Sequence, residues 1–274
     1  MAQTNPDETG TYRIVSREVG ILRNWRATLD YGQSAGPIED VGARVGFSRT
    51  QETKIGLDFG VGDRGFVRLE ALAATRQTKR ALAFDDLDGS EDETGLGVTG
   101  GIFLLPFLAA GLYVQHRWGD GEDIFTNRAI GSSVTVGRDD RLRRLAPFVM
   151  LTAPYGPVRG TLIGAYVDLR SDTDYTNAPI TNDSGHVRAS VLDAALAWRV
   201  LPKIEIEGSV GWTHVDTQRV QADALRLDTD TGTVGARLTY SLTEALDTTV
   251  RGSQDFVNER GKGFRFGGGL AYRF

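Results

Sequence analysis

Cysteine is absent from the 274 residues, methionine occurs twice and histidine three times. Without cysteine there is no disulfide framework, no thiolate metal site and no cysteine nucleophile, and an oxidising compartment is permitted. Long apolar runs are missing too. The nearest, GIFLLPFLAAGLYV at 101–114, is interrupted by Pro106 and Gly111, falls short of the roughly 18 residues a membrane helix needs, and reads as two strands of a hairpin. There is no basic block: 31 Lys and Arg stand against 36 Asp and Glu, a net charge of -5, which argues against nucleic acid as a partner. The opening MAQTNPDETG has neither a basic n-region nor an apolar h-region, and it reads as a mature N-terminus behind a starting Met, a signal peptide having been removed.

What the chain has in quantity is alternation of period two. Twelve segments show it, approximately 40–49, 53–61, 65–76, 94–105, 107–118, 142–152, 158–170, 188–200, 203–214, 232–241, 245–256 and 264–274. Each is close to the roughly 9 to 11 residues with which a tilted strand crosses a bilayer. One parity is apolar, as in Ile55, Leu57, Phe59 and Val61 or Leu192, Ala194, Leu196 and Trp198. The other carries Arg44, Lys54, Arg68, Arg76, Arg117, Arg144, Arg170, Arg199, Arg237, Arg251, Arg265 and Arg273, with Asp58, Glu70, Asp168, Asp193, Glu205, Glu207, Asp247 and Asp255. A soluble sandwich also alternates, but its edge strands carry protective charge. Twelve equally apolar segments fit lipid, where an outward Arg at mid-membrane costs roughly 2–4 kcal/mol and an open sheet edge is not tolerated.

Connections alternate in length. Short turns at 61–65, 105–107, 152–157, 200–203 and 241–246 separate long polar stretches at 77–93, 119–141, 171–187, 215–231 and 257–263. The expected fold is therefore all-β: a transmembrane antiparallel up-and-down β-barrel of twelve strands, with short periplasmic turns and long external loops. The segment 128–137 also alternates and is read as a hairpin extension within a long loop. Residues 1–39 are ambiguous. Val15, Val19, Leu22 and Trp25 fit a helical plug beside a barrel of 40–274, whereas the alternation of Trp25, Ala27, Leu29 and Tyr31 fits two further strands and a barrel of fourteen.

The terminal GFRFGGGLAYRF resembles the C-terminal strand of Gram-negative outer-membrane proteins, and 232–274 resemble the last three strands of an autotransporter-type β-domain. The resemblance implies a bacterial outer-membrane location among lipid and lipopolysaccharide. It also implies Tyr272 and Phe274 as the signal read by the barrel-assembly machinery.

Pore-lining candidates follow from parity: Arg44, Lys54, Asp58, Arg68, Glu70, Arg76, Asp193, Arg199, Glu205, Glu207, Arg237, Asp247, Arg251 and Arg265. Such rings set ion preference in an open pore, or brace the wall of an occluded one. Inward glycines, among them Gly56, Gly97, Gly164, Gly211, Gly235, Gly267 and Gly269, leave room for water or a plug, or mark wall curvature. His116 and His214 fall on the outward parity, and His186 with Ser184 and Asp183 is the single near-neighbour set that could suggest catalysis. Acidic stretches at 85–93 and 228–232 lack regular ligand spacing and read as solvated loops. The expected role is a passive channel for small hydrophilic solutes, without cofactor, metal or enzymatic activity. The alternative is an autotransporter-type translocator or anchor with residues 1–39 in the pore, and an outer-membrane enzyme is a third reading.

Overall fold

A computed structural model describes residues 25–40, 43–81, 85–176, 183–220, 229–256 and 263–274. They form β1 (Arg26–Asp40), β2 (Ala43–Val61), β3 (Gly65–Ala81), β4 (Asp85–Leu105), β5 (Leu108–Asn127), β6 (Ser133–Tyr155), β7 (Val158–Thr176), β8 (Asp183–Leu201), β9 (Ile204–Val220), β10 (Thr229–Ser241), β11 (Leu246–Phe256) and β12 (Phe264–Arg273). Every strand pairs antiparallel with its sequence neighbours, and β1 pairs with β12 to close the barrel. The seam runs from Arg26 opposite Arg273 to Ala35 opposite Phe264, and Phe274 donates its backbone N–H to the Trp25 carbonyl at 3.0 Å.

The strand number agrees with the expected twelve, but two of the segments behind that count are different. Windows 40–49 and 53–61 are one continuous strand, β2, and the missing strand is β1, which begins at Arg26 inside the stretch read as a leading segment. The plug reading of Val15, Val19 and Leu22 lies outside the described residues. The expected long loops at 77–93 and 119–141 are mostly strand: β3 and β4 stay paired to Ala81 and Asp86, and β5 and β6 to Thr126 and Ser133. Segment 133–137 is the hairpin extension its alternation suggests. Where the β5–β6 hairpin turns, Gly131 takes a positive φ of 66° and Asn127 Oδ1 accepts from the N–H groups of Ala129 at 3.0 Å and Ile130 at 3.3 Å. The short turns at the opposite end use Gly62 and Gly156, also at positive φ, where an L side chain would be strained.

The outer surface explains why so many large apolar side chains are exposed. Leu29, Ile55, Leu69, Val98, Val114, Val149, Leu196, Val210, Val250 and Leu270 all face outward around the wall. A continuous apolar belt of this kind is stable against acyl chains and not against water. It ends abruptly along each strand: on β3, Leu69, Ala71 and Ala73 give way to Thr75, Gln77 and Lys79. Above that level the hairpins are held by polar pairs such as Lys79 with Asp88 at 2.9 Å and Thr75 with Asp92 at 2.8 Å. Trp118 and Trp212 mark the rim on the hairpin side, while Trp198, Tyr240, Tyr272 and Phe274 lie on the turn side. The rings of Tyr272 and Phe274 meet edge-on with centroids 5.0 Å apart.

The belt predicts a depth-dependent cost for charge. Val98→Arg, set between Leu69 and Val114, should lower stability by roughly 2–4 kcal/mol in urea unfolding from lipid vesicles, and Gln77→Arg on the hairpin by roughly 1 kcal/mol or less.

Candidate functional site

Inside the barrel the strands present a second chemistry. Neighbouring register positions stack inward residues into rows: Asp58, Arg68, Thr99 and Tyr113 form one across β2–β5, and Gly56, Glu70, Gly97, Gln115 and Arg144 the next across β2–β6. In these rows the large polar side chain lies over an inward glycine. A Cβ on Gly97 would stand 2.5 Å from Glu70 Oε1, and one on Gly56 would stand 2.6 Å from Thr28 Oγ1 and 2.9 Å from the Arg68 guanidinium. The glycines are thus the seats of the charged groups, and not open space.

The charges join into an unbroken ladder. Arg68 contacts Asp58 at 3.5 Å and Glu70 at 3.7 Å. Glu70 accepts from the Tyr113 hydroxyl at 2.5 Å and from Gln115 at 3.3 Å, and Gln115 in turn accepts from Arg117 at 3.1 Å. Arg117 reaches Glu93 at 3.2 Å and Glu52 at 3.3 Å, with Lys54 closing on Glu52 at 2.6 Å. Arg76 bridges Glu93 at 2.8 Å and Glu91 at 3.4 Å. Arg138 ends the ladder against Glu91 at 2.8 Å, Asp123 at 3.2 Å and Asp140 at 2.5 Å. Arg68, Lys54 and Arg117 are buried, and such charges persist in a low-dielectric wall only as parts of a network.

Across the lumen the pairs are separate and wetter. Arg251 meets Asp30 at 3.4 Å, Arg265 meets Asp255 at 2.9 Å, Arg159 meets Glu205 at 3.2 Å, and Arg273 pairs with Asp247. A third sector is apolar: Phe66, Ala146, Phe148, Met150, Ile163, Val167, Leu169, Val187 and Val191 form one buried cluster within the wall of β3–β8.

Most parity candidates point inward: Lys54, Asp58, Arg68, Glu70, Arg76, Asp193, Glu205, Glu207, Arg237, Asp247, Arg251 and Arg265. Arg199 sits exposed at the turn end of β8 beside a register shift, and of Arg44 only the strand position, opposite Glu39, is described. Strand β7 is a correction. Its inward residues are Ile163, Val167 and Leu169, so Asp168, Arg170 and Gly164 face outward, because the apolar sector claims the parity that is charged elsewhere. Asp30, Glu52, Glu91, Glu93, Asp123, Arg138, Asp140 and Arg159 were not among the candidates. The stretch 85–93, read as a solvated acidic loop, is strand, and it supplies Glu91 and Glu93 to the ladder. The signal was present, since Glu91 and Glu93 share the parity of Gly95 and Gly97 without a break. Of the histidines, His186 takes Asp168 as partner at 2.9 Å and His214 takes Asp230 at 2.8 Å, while the side chain of Asp183 lies outside the described residues.

The seating of Glu70 over Gly97 gives a paired test. Gly97→Val should cost about 1–3 kcal/mol by forcing Glu70 out of the ladder, measured by urea unfolding in vesicles. Gly100→Val, whose added Cβ meets nothing within 4 Å on the outward face, should change stability by about 0.5 kcal/mol or less.

No protein-family model matches the sequence, and no curated protein does. Solved structures match over nearly the whole chain. The translocator domain of the autotransporter NalP from Neisseria meningitidis superposes with a TM-score of 0.77 at 12% identity, covering 98% of this chain and 96% of that one. The β-domain of the Bordetella autotransporter BrkA gives 0.69 at 12% identity, covering 92% and 100%. The COG4313 outer-membrane channel from Pseudomonas putida F1 gives 0.56 at 12% identity, covering 92% and 96%. The chain has the closed-barrel fold of bacterial outer-membrane proteins.

Proposed function

We propose that this barrel is a passage across the bacterial outer membrane for small hydrophilic solutes or ions, with its short turns in the periplasm and its long hairpins outside, and that it is not an enzyme. The observation that carries this is the inequality of the two charged walls. Ladder residues Arg68 and Arg117 keep 3% and 7% of their side-chain surface and Arg76 and Arg138 keep 19% each, whereas Arg265, Arg251, Arg159 and Arg273 keep 21%, 25%, 28% and 38%. On the wetter side these arginines pair with Asp255, Asp30, Glu205 and Asp247, so that wall is lined by ion pairs whose guanidinium groups stay partly accessible. Charges of this kind attract and sort small ions, while the braced wall keeps the bore from collapsing. Tyr272 and Phe274, paired at the closing strand, are the residues we assign to recognition by the assembly machinery.

A translocator or anchor role is the second reading, favoured by the superposition on the NalP translocator domain along 96% of that domain. In that case residues 1–24, which precede the first strand, would occupy the bore.

Single-channel recording in planar bilayers separates the two. The full chain should give steady conductance, with Arg251→Ala shifting the reversal potential towards cations by leaving Asp30 uncompensated and Asp30→Asn shifting it towards anions. A full chain that stays closed, and opens when residues 1–24 are removed, would favour the translocator or anchor. Silence from both forms after verified insertion would sink the idea of a passage.

A further inference from the structure

Outside the barrel, just beyond the apolar belt, β5–β8 carry a basic face that takes no part in the lumen network. On β5 the outward residues pass from Val114 to His116 and Trp118; on β6 they pass from Leu145 to Arg143 and Arg141. On β7 the sequence is Tyr166, Asp168, Arg170, and on β8 it is Leu192, Ser190, Arg188, His186. The register sets His116 opposite Arg143, Arg143 opposite Arg170, and Arg170 opposite His186. Basic side chains directly opposed across strands work against sheet stability unless an anion lies over them.

The protein supplies only part of that anion. Asp168 gathers Arg170 at 3.2 Å, Arg188 at 3.4 Å and His186 at 2.9 Å, so one carboxylate is shared by three bases. Asp172 lies opposite Arg141 in the register, yet Arg141 and Arg143 form no ion pair or side-chain hydrogen bond among the described residues. Farther out the sign reverses, with Asp120 opposite Asp139 and Asp139 opposite Asp174. On β6 and β8 the surface therefore passes from apolar to basic, β5 adds His116 beside Trp118, β7 sets Asp168 before Arg170, and across β5–β7 an acidic row follows. His116 packs on Trp118 with ring centroids 4.3 Å apart, an amphipathic platform of the kind that lies at a headgroup level.

We infer that the Arg141, Arg143, Arg170 and Arg188 face binds the phosphate groups of the outer-leaflet glycolipid, the phosphorylated lipid A moiety of lipopolysaccharide. The ligand must join acyl chains, which meet the belt below, to anionic oxygens at the height of the guanidinium groups. Arginine forks match phosphate oxygens in two-point contacts, and Asp168 holds two of the four in place before the lipid arrives. The assignment rests on the outer-membrane reading and on the hairpin side facing outward.

The test uses the full chain folded into phosphatidylcholine nanodiscs containing bis-phosphorylated lipid A, dephosphorylated lipid A or phosphatidylglycerol, with bound lipid counted by native mass spectrometry. Wild type should prefer phosphorylated lipid A. Each arginine replaced by Gln should weaken its retention about fivefold, so that the variant Arg141→Gln/Arg143→Gln/Arg170→Gln/Arg188→Gln falls to the level of the dephosphorylated lipid. Lys79→Gln, on the exposed β3–β4 hairpin, should leave retention at the wild-type level. Heat-modifiable gel mobility identifies variants that have folded; if the fourfold variant does not fold, the Arg141→Gln/Arg143→Gln pair, which removes no ion pair among the described residues, carries the test. Equal retention of phosphorylated and dephosphorylated lipid A by wild type, or equal retention by wild type and a folded variant, overturns the inference. Equal affinity for phosphatidylglycerol overturns the assignment to glycolipid. A chain that inserts but shows no preference sinks this proposal alone, whereas a chain that inserts into no bilayer sinks the membrane reading beneath it.

Discussion

Everything in this structure depends on the requirement that a backbone exposed to lipid leave no N–H or C=O unpaired. A twelve-stranded sheet has two edges, and the only way to satisfy both without helix or water is to pair them with each other. Strands β1 and β12 do this along Arg26–Ala35 and Phe264–Arg273. The glycine run in β12 makes the seam feasible. A Cβ on Gly267 would lie 2.6 Å from the Tyr31 carbonyl oxygen, and one on Gly269 would lie 2.6 Å from Asp30 Oδ1. Alternate residues of the same short strand therefore meet lipid through Phe266 and Leu270 and meet the lumen through Arg265 and Arg273.

Closure forces the second property of the barrel. Once the outer parity is committed to acyl chains, all charge within the bilayer must go inside, where it meets a narrow and partly dry interior. Charges there are tolerable only when joined, and removing one member of a buried pair typically costs about 3–5 kcal/mol because its partner is left uncompensated. The ladder from Asp58 to Arg138 alternates acid and base through every link except the Gln115 relay between Glu70 and Arg117. It crosses β2 to β6 and so ties together strands that are otherwise joined only to their neighbours. On the opposite wall Arg251 with Asp30 and Arg265 with Asp255 each join two strands and leave more of the guanidinium exposed than Arg68 or Arg117 does.

Period-two alternation makes the fold readable from sequence because the same lipid surrounds every strand. It misleads where the surroundings change. Gln51 and Glu52 lie above the belt, so polar residues occur on both parities there and β2 looks like two strands. Asp85–Glu93 looks like a loop because it is acidic, but its outward residues face water and its inward ones face Arg76 and Arg138, and a strand in those surroundings has no apolar side to show. On β7 the difficulty is opposite. Ile163, Val167 and Leu169 are apolar because they pack in the lumen, while Asp168 and Arg170 are charged because they lie beyond the belt, and parity by itself assigns both sets to the wrong face. Pairing partners within the ladder were not readable, since they depend on register between strands and on which inward positions are glycine.

The treatment of charge differs inside and outside for a single physical reason. Within the wall each guanidinium of the ladder is matched by carboxylates of the chain, since no other counter-charge of fixed position is available there. At the outer rim the chain places Arg143 opposite Arg170 and matches them incompletely, with the one Asp168 carboxylate shared among Arg170, Arg188 and His186. Leaving cations undercompensated is stable only where the medium completes them. Water completes them weakly, and a layer of fixed phosphates does so strongly. On β6 the outward step from Leu145 to Arg143 and Arg141, and on β8 the step from Leu192 through Ser190 to Arg188, therefore follow the step in the surroundings from acyl chain to headgroup.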